Sequence, residues 1–220
     1  MIKGLIFDLD GTLLYTLPDL TKAINQTMDE LHLKHQTMDD VRNKIGSGFK
    51  VLLSKCVPET YTDEEINKAV ELYSHNYGLC YMEETKVYAG INELVNWCIT
   101  NNLKLGVNSN KKDTYTKDLI KLHFPKIDQR YVYGKREGYP IKPNPSNNLE
   151  ILKEMNLNNN EVLYIGDSGV DIKTGRNTNL KVIAVTWGYR DKELLEKENP
   201  DYLINKPKEI IKIIKEMNGE

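Results

Sequence analysis

Two aspartates separated by one residue end the first apolar run of the chain, in the stretch LIFDLDGT. Asp8 and Asp10 follow Gly4–Phe7, a run typical of a strand that is buried on both faces. A carboxylate at a strand end is held by the sheet, so Asp8 could act as a nucleophile and form an aspartyl-phosphate. Asp10 could protonate a leaving oxygen and then activate water as a general base. Gly11 lets the chain turn away and leaves room for a substrate.

Four other polar stretches follow later apolar runs of the chain. They are NSNKKD at residues 108–113, IKPNPS at 141–146, GDSGVD at 166–171 and TWGYRD at 186–191. In a parallel α/β sheet, ligands bind at the carboxyl ends of the strands. We therefore expect one edge of the sheet to gather the side chains that could bind a ligand, namely Ser109, Asn110, Lys142, Asp167 and Asp171.

Such a group of carboxylates predicts a bound cation. Two carboxylates about 4 Å apart repel each other by roughly 4 kcal/mol at an effective dielectric constant near 20. Oxygen ligands without a nearby histidine or thiolate favour Mg²⁺ over zinc. Because Mg²⁺ often shares phosphate oxygens, we expect a phosphorylated substrate. The predicted metal ligands are Asp8, Asp10, Asp167 and Asp171.

The neutral and cationic donors are consistent with phosphate chemistry. Lys142 could neutralise phosphate oxygens, and Ser109 could donate a hydroxyl hydrogen bond. We expect the backbone of Ser109 and Asn110 to lie where a helix over residues 112–124 begins, because helix N-termini attract anions. Phosphoryl transfer depends mainly on in-line positioning and on neutralisation of charge.

The elements that must position these residues are predicted from the apolar pattern. Short runs rich in Ile, Val and Leu indicate strands at residues 4–7, 103–107, 131–133, 162–165, 182–185 and 202–204. Helical patterns separate most of them, and this alternation predicts a doubly wound, Rossmann-like parallel sheet with helices on both faces. The tail KPKEIIKIIKEM predicts an amphipathic helix.

One region interrupts the alternation of strands and helices. Residues 17–82 contain only helical stretches, among them one that starts with a capping-box spacing at Thr62 and Glu65. So long a connection is better explained by an inserted helical subdomain than by one crossover. We therefore predict a catalytic core of residues 1–15 and 84–220 and an α-helical insertion of residues 16–83.

Composition limits the class of protein. The 220 residues carry a net charge of −2, which favours neither nucleic acid nor an anionic membrane as a partner. Three widely spaced cysteines show no zinc-binding or disulfide pattern and indicate free thiols. Neither a signal peptide nor an apolar run of about 20 residues is found, so we expect a cytoplasmic protein. Whether it is a monomer or a homodimer stays open.

At these residues the chain resembles a known family. The stretches DLDGT, NSN, KPNP and GDSGVD occur in the order of the four motifs of the haloacid dehalogenase-like superfamily. The closing segments VTWGYR and PDYLINKPKEI, together with the helical insertion, resemble its phosphoglycolate phosphatase-like branch. This resemblance implies that residues 16–83 form a cap domain.

The resemblance also implies roles for single residues. Asp8 would be the nucleophile and a Mg²⁺ ligand, and Asp10 would be the general acid and base, with its backbone carbonyl on the metal. Ser109 and Lys142 would bind phosphate. The metal-ligating acid would be Asp167, and Asp171 would lie close by or bind the metal through water.

In the insertion, the resemblance implies that the loop in the stretch IGSGFKVLL, residues 45–53, reaches the substrate and sets specificity. The residues concerned are Gly46, Ser47, Gly48 and Lys50. The chain departs from the branch after DGTLL, where Tyr15 and Thr16 stand in place of the usual Asp-Ser pair. We expect this departure to affect closure or specificity more than the chemistry.

These observations predict a Mg²⁺-dependent phosphatase that acts on a small phosphorylated metabolite, with phosphoglycolate favoured. A phosphomutase similar to β-phosphoglucomutase, or a pyrophosphatase, is the alternative. A phosphate-accepting signalling module would not need an insertion of some 60 residues, and a dehalogenase would not need the acid Asp10.

Overall fold

The computed structural model describes residues 1–220, which divide into two compact units. Unit one contains Met1–Leu14 and Val87–Glu220, and unit two contains Tyr15–Lys86. The predicted boundaries, after residue 15 and before residue 84, differ from these bounds by one and three residues. That unit two acts as a cap stays a prediction.

Eight strands and ten α-helices make up the two units. The strands are β1 (Gly4–Phe7), β2 (Leu14–Tyr15), β3 (Lys86–Val87), β4 (Lys104–Lys112), β5 (Val132–Lys135), β6 (Val162–Gly166), β7 (Lys181–Val185) and β8 (Tyr202–Ile204). The helices are α1 (Leu17–Glu30), α2 (Met38–Lys44), α3 (Phe49–Ser54), α4 (Asp63–Cys80), α5 (Ile91–Thr100), α6 (Asp113–His123), α7 (Ser146–Met155), α8 (Gly169–Asn177), α9 (Lys192–Lys197) and α10 (Lys208–Asn218).

Unit one is built on a sheet of six parallel strands in the order β5-β4-β1-β6-β7-β8. From β1 the chain moves outward through β4 and β5, and it then continues on the other side of β1 through β6, β7 and β8. This order confirms the predicted doubly wound α/β core. Strand β1, whose four residues are all buried, lies at the switch point where ligands bind in such sheets.

All six strands predicted from the sequence are present in this sheet, and β1 and β8 have the predicted bounds. Their apolar side chains are buried because helices cover the faces of the sheet. One layer of the core, for example, joins Ile6 of β1 and Tyr164 of β6 to Ile151 of α7 and Ile172 of α8.

Strand β4 continues beyond its predicted end at Val107 to Lys112, and its pairing with β5 becomes irregular there. Asn108 lies opposite Tyr133, whereas Lys112 lies opposite Lys135. Four positions along β4 therefore correspond to two along β5, as in a bulged strand. Because α6 begins only at Asp113, the expectation that Ser109 and Asn110 lie at a helix start is wrong.

Unit two is helical apart from its first and last residues, which belong to β2 and β3. Leu20, Ile24 and Met28 recur every four residues and form the buried face of α1. In α4, the rings of Tyr73 and Tyr77 are stacked with their centroids 5.7 Å apart. The helices of this unit thus share an apolar core of their own.

The predicted capping box begins α4. The Thr62 hydroxyl accepts a hydrogen bond from the Glu65 N–H at 3.3 Å, and the Glu65 carboxylate accepts one from the Thr62 N–H at 2.7 Å. These bonds satisfy backbone donors that have no partner within the helix.

The three cysteines are free, as the sequence predicts, and all three are buried. Burial raises the pKa of the Cys80 thiol to about 11 and that of Cys98 to about 12, which keeps both protonated and unreactive at neutral pH. None of the ten helices has both the length and the apolar character needed to cross a membrane.

We expect the substitution Thr62→Ala to lower the free energy of unfolding by about 1 kcal/mol, because the first turn of α4 loses its side-chain acceptor. Chemical denaturation of the full chain measures this change. Thr62→Ser keeps the hydroxyl and serves as the control. Equal stabilities of the Ala and Ser variants would contradict the prediction.

Candidate active site

Three carboxylates lie together at the carboxyl ends of β1 and β6. Asp8 directly follows β1, Asp167 directly follows β6, and Asp171 lies in the first turn of α8. One oxygen of each lies within 4.8 Å of the others, and all three residues are buried. Because β1 and β6 pair in register, the Asp8 N–H donates to the carbonyl of Ile165 at 2.9 Å. The sheet thus brings together three of the four predicted metal ligands.

Lys142 lies inside this cluster of carboxylates. Its ammonium Nζ donates to Asp8 Oδ1 at 2.6 Å and to Asp171 Oδ1 at 2.8 Å, and its side chain is 3% exposed. The residue comes from the loop between β5 and α7. Two residues that are 134 positions apart in the chain, Asp8 and Lys142, are therefore in direct contact.

The cluster shifts the titration of its members. Burial raises the pKa of Asp8 well above its ordinary value, repulsion by Asp171 adds to this, and Lys142 opposes it. Burial, with repulsion by Asp171, raises the pKa of Asp167 to about 7. For Lys142, burial alone would lower the pKa, but attraction by Asp171 and Asp8 outweighs burial and raises it. Lys142 is therefore charged at neutral pH.

The chemistry of the cluster fits a divalent cation. A bound cation would favour the ionised forms of Asp8 and Asp167 despite their raised pKa values. Three ionised carboxylates and one ammonium would then leave two negative charges, which a single Mg²⁺ ion would balance. The cluster offers carboxylate oxygens and contains neither an imidazole nor a thiolate, so it suits Mg²⁺ better than zinc.

Asp171 has a different environment from the other two carboxylates, because both of its oxygens already accept hydrogen bonds within the protein. Oδ1 accepts from Lys142 and from the Tyr164 hydroxyl at 3.2 Å. Oδ2 accepts from the Ser168 N–H at 3.1 Å and from the Ser168 hydroxyl, forming the capping box of α8. Asp171 thus holds Lys142 in place, and Asp8 and Asp167 are the better candidates for direct contact with an ion.

Asp10 follows Asp8 by two residues but is not one of the three clustered acids, and its carboxylate pairs with Lys111 Nζ at 3.2 Å. The Lys111 side chain is fully buried, whereas that of Asp10 is 15% exposed. Sequence reasoning missed Lys111, although a lysine directly after NSN at the end of an apolar strand was a usable signal. The resemblance assigns the backbone carbonyl of Asp10, and not its carboxylate, to the metal, so this position is compatible with that role.

Ser109 and Asn110 both lie in the irregular part of β4. The Ser109 hydroxyl oxygen accepts a hydrogen bond from the Lys111 N–H at 3.1 Å. The Asn110 side chain binds the backbone of Lys142: its Oδ1 accepts from the Lys142 N–H at 2.8 Å, and its Nδ2 donates to the Lys142 carbonyl at 3.3 Å. Asn110 therefore uses its amide on the protein, a contact that the sequence did not indicate.

Two glycines make room for Asp167. A Cβ atom on Gly11 would lie 2.3 Å from Asp167 Oδ2, and one on Gly188 would lie 2.3 Å from Asp167 Cβ. Next to Gly188, the Tyr189 N–H donates to Asp167 Oδ2 at 2.6 Å. The loop that follows β7 thus orients Asp167.

The same loop supports the first motif. The indole N–H of Trp187 donates to the carbonyl of Thr12 at 3.0 Å. From the sequence, the loop TWGYRD is recognisable only as a polar stretch that follows a predicted strand. Its backbone contact with Asp167 could not be found from side-chain types.

The four residues predicted to set specificity lie in unit two. Gly46 and Gly48 have φ angles of 118° and 84°, which favour glycine, and Ser47 lies between them. The ammonium of Lys50 pairs with Asp63 at 3.3 Å, and both side chains are exposed. A role in specificity stays a prediction for all four.

The two residues that depart from the usual Asp-Ser pair also have partners in unit two. The Tyr15 hydroxyl lies 3.4 Å from the Met38 sulfur, and Thr16 is buried at the start of α1. The Met38 sulfur is uncharged, and an effect of Tyr15 and Thr16 on closure or specificity stays a prediction.

Comparisons with known proteins agree with this architecture. The family model described as haloacid dehalogenase-like hydrolase matches residues 5–185. A protein of Aquifex aeolicus named phosphoglycolate phosphatase is 27% identical over 218 residues, which are 97% of each chain. One of the same name from Photobacterium profundum is 27% identical and covers 97% of this chain and 96% of its own.

A solved structure from Lactobacillus delbrueckii subsp. bulgaricus, named as a candidate phosphoglycolate phosphatase, superposes with a TM-score of 0.89. It is 29% identical and covers 94% of this chain and 96% of its own. The predicted resemblance to the phosphoglycolate phosphatase-like branch is confirmed, and the chain belongs to the haloacid dehalogenase-like hydrolase family.

Proposed function

We propose that this chain is a Mg²⁺-dependent phosphatase that hydrolyses a small phosphorylated metabolite through an aspartyl-phosphate on Asp8. The enzyme class, a phosphoric monoester hydrolase, follows from the family and its relatives. The observation that carries the finer proposal is the position of Asp8, buried beside Asp167 and paired with Lys142 at 2.6 Å.

In the first half-reaction, a carboxylate oxygen of Asp8 attacks the phosphorus atom and the bond from phosphorus to the ester oxygen breaks. The leaving oxygen takes a proton from Asp10, which must enter in the protonated form. The products of this step are a free alcohol and an aspartyl-phosphate. Because Asp8 follows the central strand β1, its position is fixed before the substrate arrives.

In the second half-reaction, water attacks the same phosphorus atom and the bond to Asp8 breaks. Asp10, now ionised, takes a proton from that water. One water is consumed, inorganic phosphate is released, and both aspartates return to their starting states.

Charge on the phosphoryl oxygens must be neutralised throughout. Lys142 carries a full positive charge within the cluster, and the Ser109 hydroxyl hydrogen is not used by its hydrogen bond with Lys111. A Mg²⁺ ion held by Asp8, Asp167 and the Asp10 carbonyl would supply further neutralisation of the phosphoryl charge.

Phosphoglycolate is the substrate that we favour, because the relatives from Aquifex aeolicus and Photobacterium profundum carry that activity in their names. In unit two, Lys50 would have to leave its pair with Asp63 before it could bind a substrate carboxylate. Sugar phosphates and pyrophosphate are the rival substrates.

We expect Asp8→Asn to lower kcat by at least about 10³-fold, because an amide cannot form the phosphoryl intermediate. Release of inorganic phosphate from phosphoglycolate, sugar phosphates and pyrophosphate, with Mg²⁺ and with a chelator, measures this. Asp39→Asn, an exposed residue of α2, is the control. Isomerisation of a sugar phosphate without net phosphate release would favour the mutase instead, and wild-type turnover by Asp8→Asn would falsify the proposed nucleophile.

We expect Gly188→Ala to weaken Mg²⁺ binding, because the added methyl would lie 2.3 Å from Asp167 Cβ and 2.4 Å from the Gly11 carbonyl oxygen. Titration calorimetry with Mg²⁺ gives the affinity, and we expect a loss of about tenfold or more. Gly219→Ala adds a methyl where no atom lies within 4 Å but at a φ of 80°, which strains the backbone. It therefore controls for a loss of stability that does not crowd Asp167. Equal Mg²⁺ affinities in the two variants would show that the crowding of Asp167 is harmless.

The metal-free protein should lose stability as the pH rises. The pKa of Asp167 is about 7 in the folded chain against an ordinary value of 3.8, so the folded state binds more protons between these values. The free energy of unfolding therefore falls as pH increases across that window. Thermal unfolding in chelator between pH 5 and pH 8, roughly the accessible part of that window, measures the fall.

With Mg²⁺ present the same fall should be smaller, because the ion binds the ionised carboxylates of the folded state. Sodium chloride at equal ionic strength controls for general screening. A pH dependence that Mg²⁺ leaves unchanged would argue against a metal at these carboxylates.

A further inference from the structure

Four buried asparagine side chains link β4 to the segment that carries Lys142. We name them the asparagine bridge, and they are Asn108, Asn110, Asn147 and Asn148. The first two lie on β4 and the other two in the first turn of α7. Of the four, only Asn110 is among the site residues predicted from the sequence, and none has a role in the proposed function.

The inner rung of the bridge joins Asn108 to the start of α7. Asn108 Nδ2 donates to Asn148 Oδ1 at 2.7 Å, and Asn108 Oδ1 accepts from Asn147 Nδ2 at 3.2 Å. Asn148 Nδ2 in turn donates to the hydroxyl of Thr178, just beyond α8, at 3.0 Å. Asn108 and Asn148 are both 0% exposed, so these bonds lie in the core.

The outer rung joins Asn110 to the backbone of Lys142 through two hydrogen bonds, at 2.8 Å and 3.3 Å. Ser109 lies between the two rungs in sequence, within the bulged part of β4. The bridge thus connects the strand that carries Ser109 to the segment that carries Lys142. Its hydrogen bonds start from the residues directly before and directly after Ser109.

Apolar side chains at these four positions would carry a smaller risk of destabilising the fold. A buried amide that loses its hydrogen-bond partner lowers the stability by about 1–3 kcal/mol. Apolar contacts are not directional, however, whereas hydrogen bonds fix the relative position of two segments. The bulge interrupts the regular pairing of β4 with β5 at this point. Two prolines, Pro143 and Pro145, stiffen the short segment between Lys142 and α7. A displacement of α7 should therefore also displace Lys142.

We propose that the asparagine bridge is the positioning device that sets Lys142 relative to Ser109 for phosphate binding. This inference rests on the proposed function. Because a displacement of about 1 Å can change a rate about 100-fold, a loosened bridge should affect phosphate affinity and turnover even in a well-folded protein.

The test separates positioning from stability. Asn108→Val alone leaves Asn148 Oδ1 buried without its donor. In N108V/N148A both partners are replaced by apolar residues of about the same total volume that suit a strand and a helix. Asn147 keeps its bond to the Gly134 carbonyl, and the Thr178 hydroxyl keeps its bond to Thr174.

The measurements are thermal unfolding, calorimetric binding of inorganic phosphate with Mg²⁺, and kcat and KM for the best phosphomonoester. We expect Asn108→Val to lose both stability and phosphate affinity. In N108V/N148A the stability should recover, whereas the phosphate affinity and kcat/KM should remain about tenfold below wild type. Asn76→Ala, which removes a buried amide bonded to Thr27 and Glu30 in unit two, should lose stability alone.

Wild-type phosphate affinity and kcat/KM in N108V/N148A would overturn the inference and leave the bridge a purely structural feature. If that variant does not fold, Asn110→Ala tests the outer rung, since it keeps the backbone of residue 110 and removes only the side chain. Wild-type affinity there would overturn the inference too. A wild-type protein that neither binds phosphate nor releases it from any ester would instead overturn the proposed function, and the bridge with it.

Discussion

The mutual repulsion of three buried carboxylates is the constraint on which the rest of this molecule depends. Asp8, Asp167 and Asp171 would not stay together in a low-dielectric interior without a compensating charge. Lys142 supplies part of that charge through two short contacts, and burial together with repulsion raises the pKa values of Asp8 and Asp167. A divalent cation would supply the rest of that charge, which is the basis of the metal-dependent phosphatase that we propose.

The fold holds this unfavourable arrangement through its backbone. Strand β1 lies between β4 and β6, so Asp8 and Asp167 follow two neighbouring strands, and Ser109 lies in the irregular last part of the third. Backbone donors then limit the movement of the acids: the Tyr189 N–H binds Asp167, and the Ser168 N–H binds Asp171. The carboxylates are thus concentrated where hydrogen bonds hold the main chain in place. Phosphoryl transfer depends on such preorganised charge.

Around the charged centre, the neutral amide side chains of asparagines orient Lys142. Lys142 is held by its ammonium on the inner side and by its backbone through Asn110 on the other. The inner rung from Asn108 to Asn148 extends this support into the core. Using amides there avoids adding charge to a cluster that is already strained by repulsion, while keeping the directional bonds that apolar packing lacks.

Much of this protein was determined by local sequence. The apolar runs predicted all six strands of the main sheet, the spacing of Thr62 and Glu65 predicted the start of α4, and the order of the four motifs predicted the family. These features could be read because each strand, cap or single motif consists of residues that are close together in the chain. The same reasoning placed Asp8 and Asp167 near each other, since strand ends of a parallel sheet share one edge.

Other features depended on tertiary structure alone. The bulge in β4 could not be read from NSNKK, because it is defined by pairing with β5, and so Ser109 was assigned to the wrong local structure. The pairing of Lys111 with Asp10 and the bond from Asn110 to Lys142 join residues 101 and 32 positions apart. The sequence indicates which apolar runs form strands. Which side chains meet near the strand ends is decided only when the strands pack, because contact depends on distance in space.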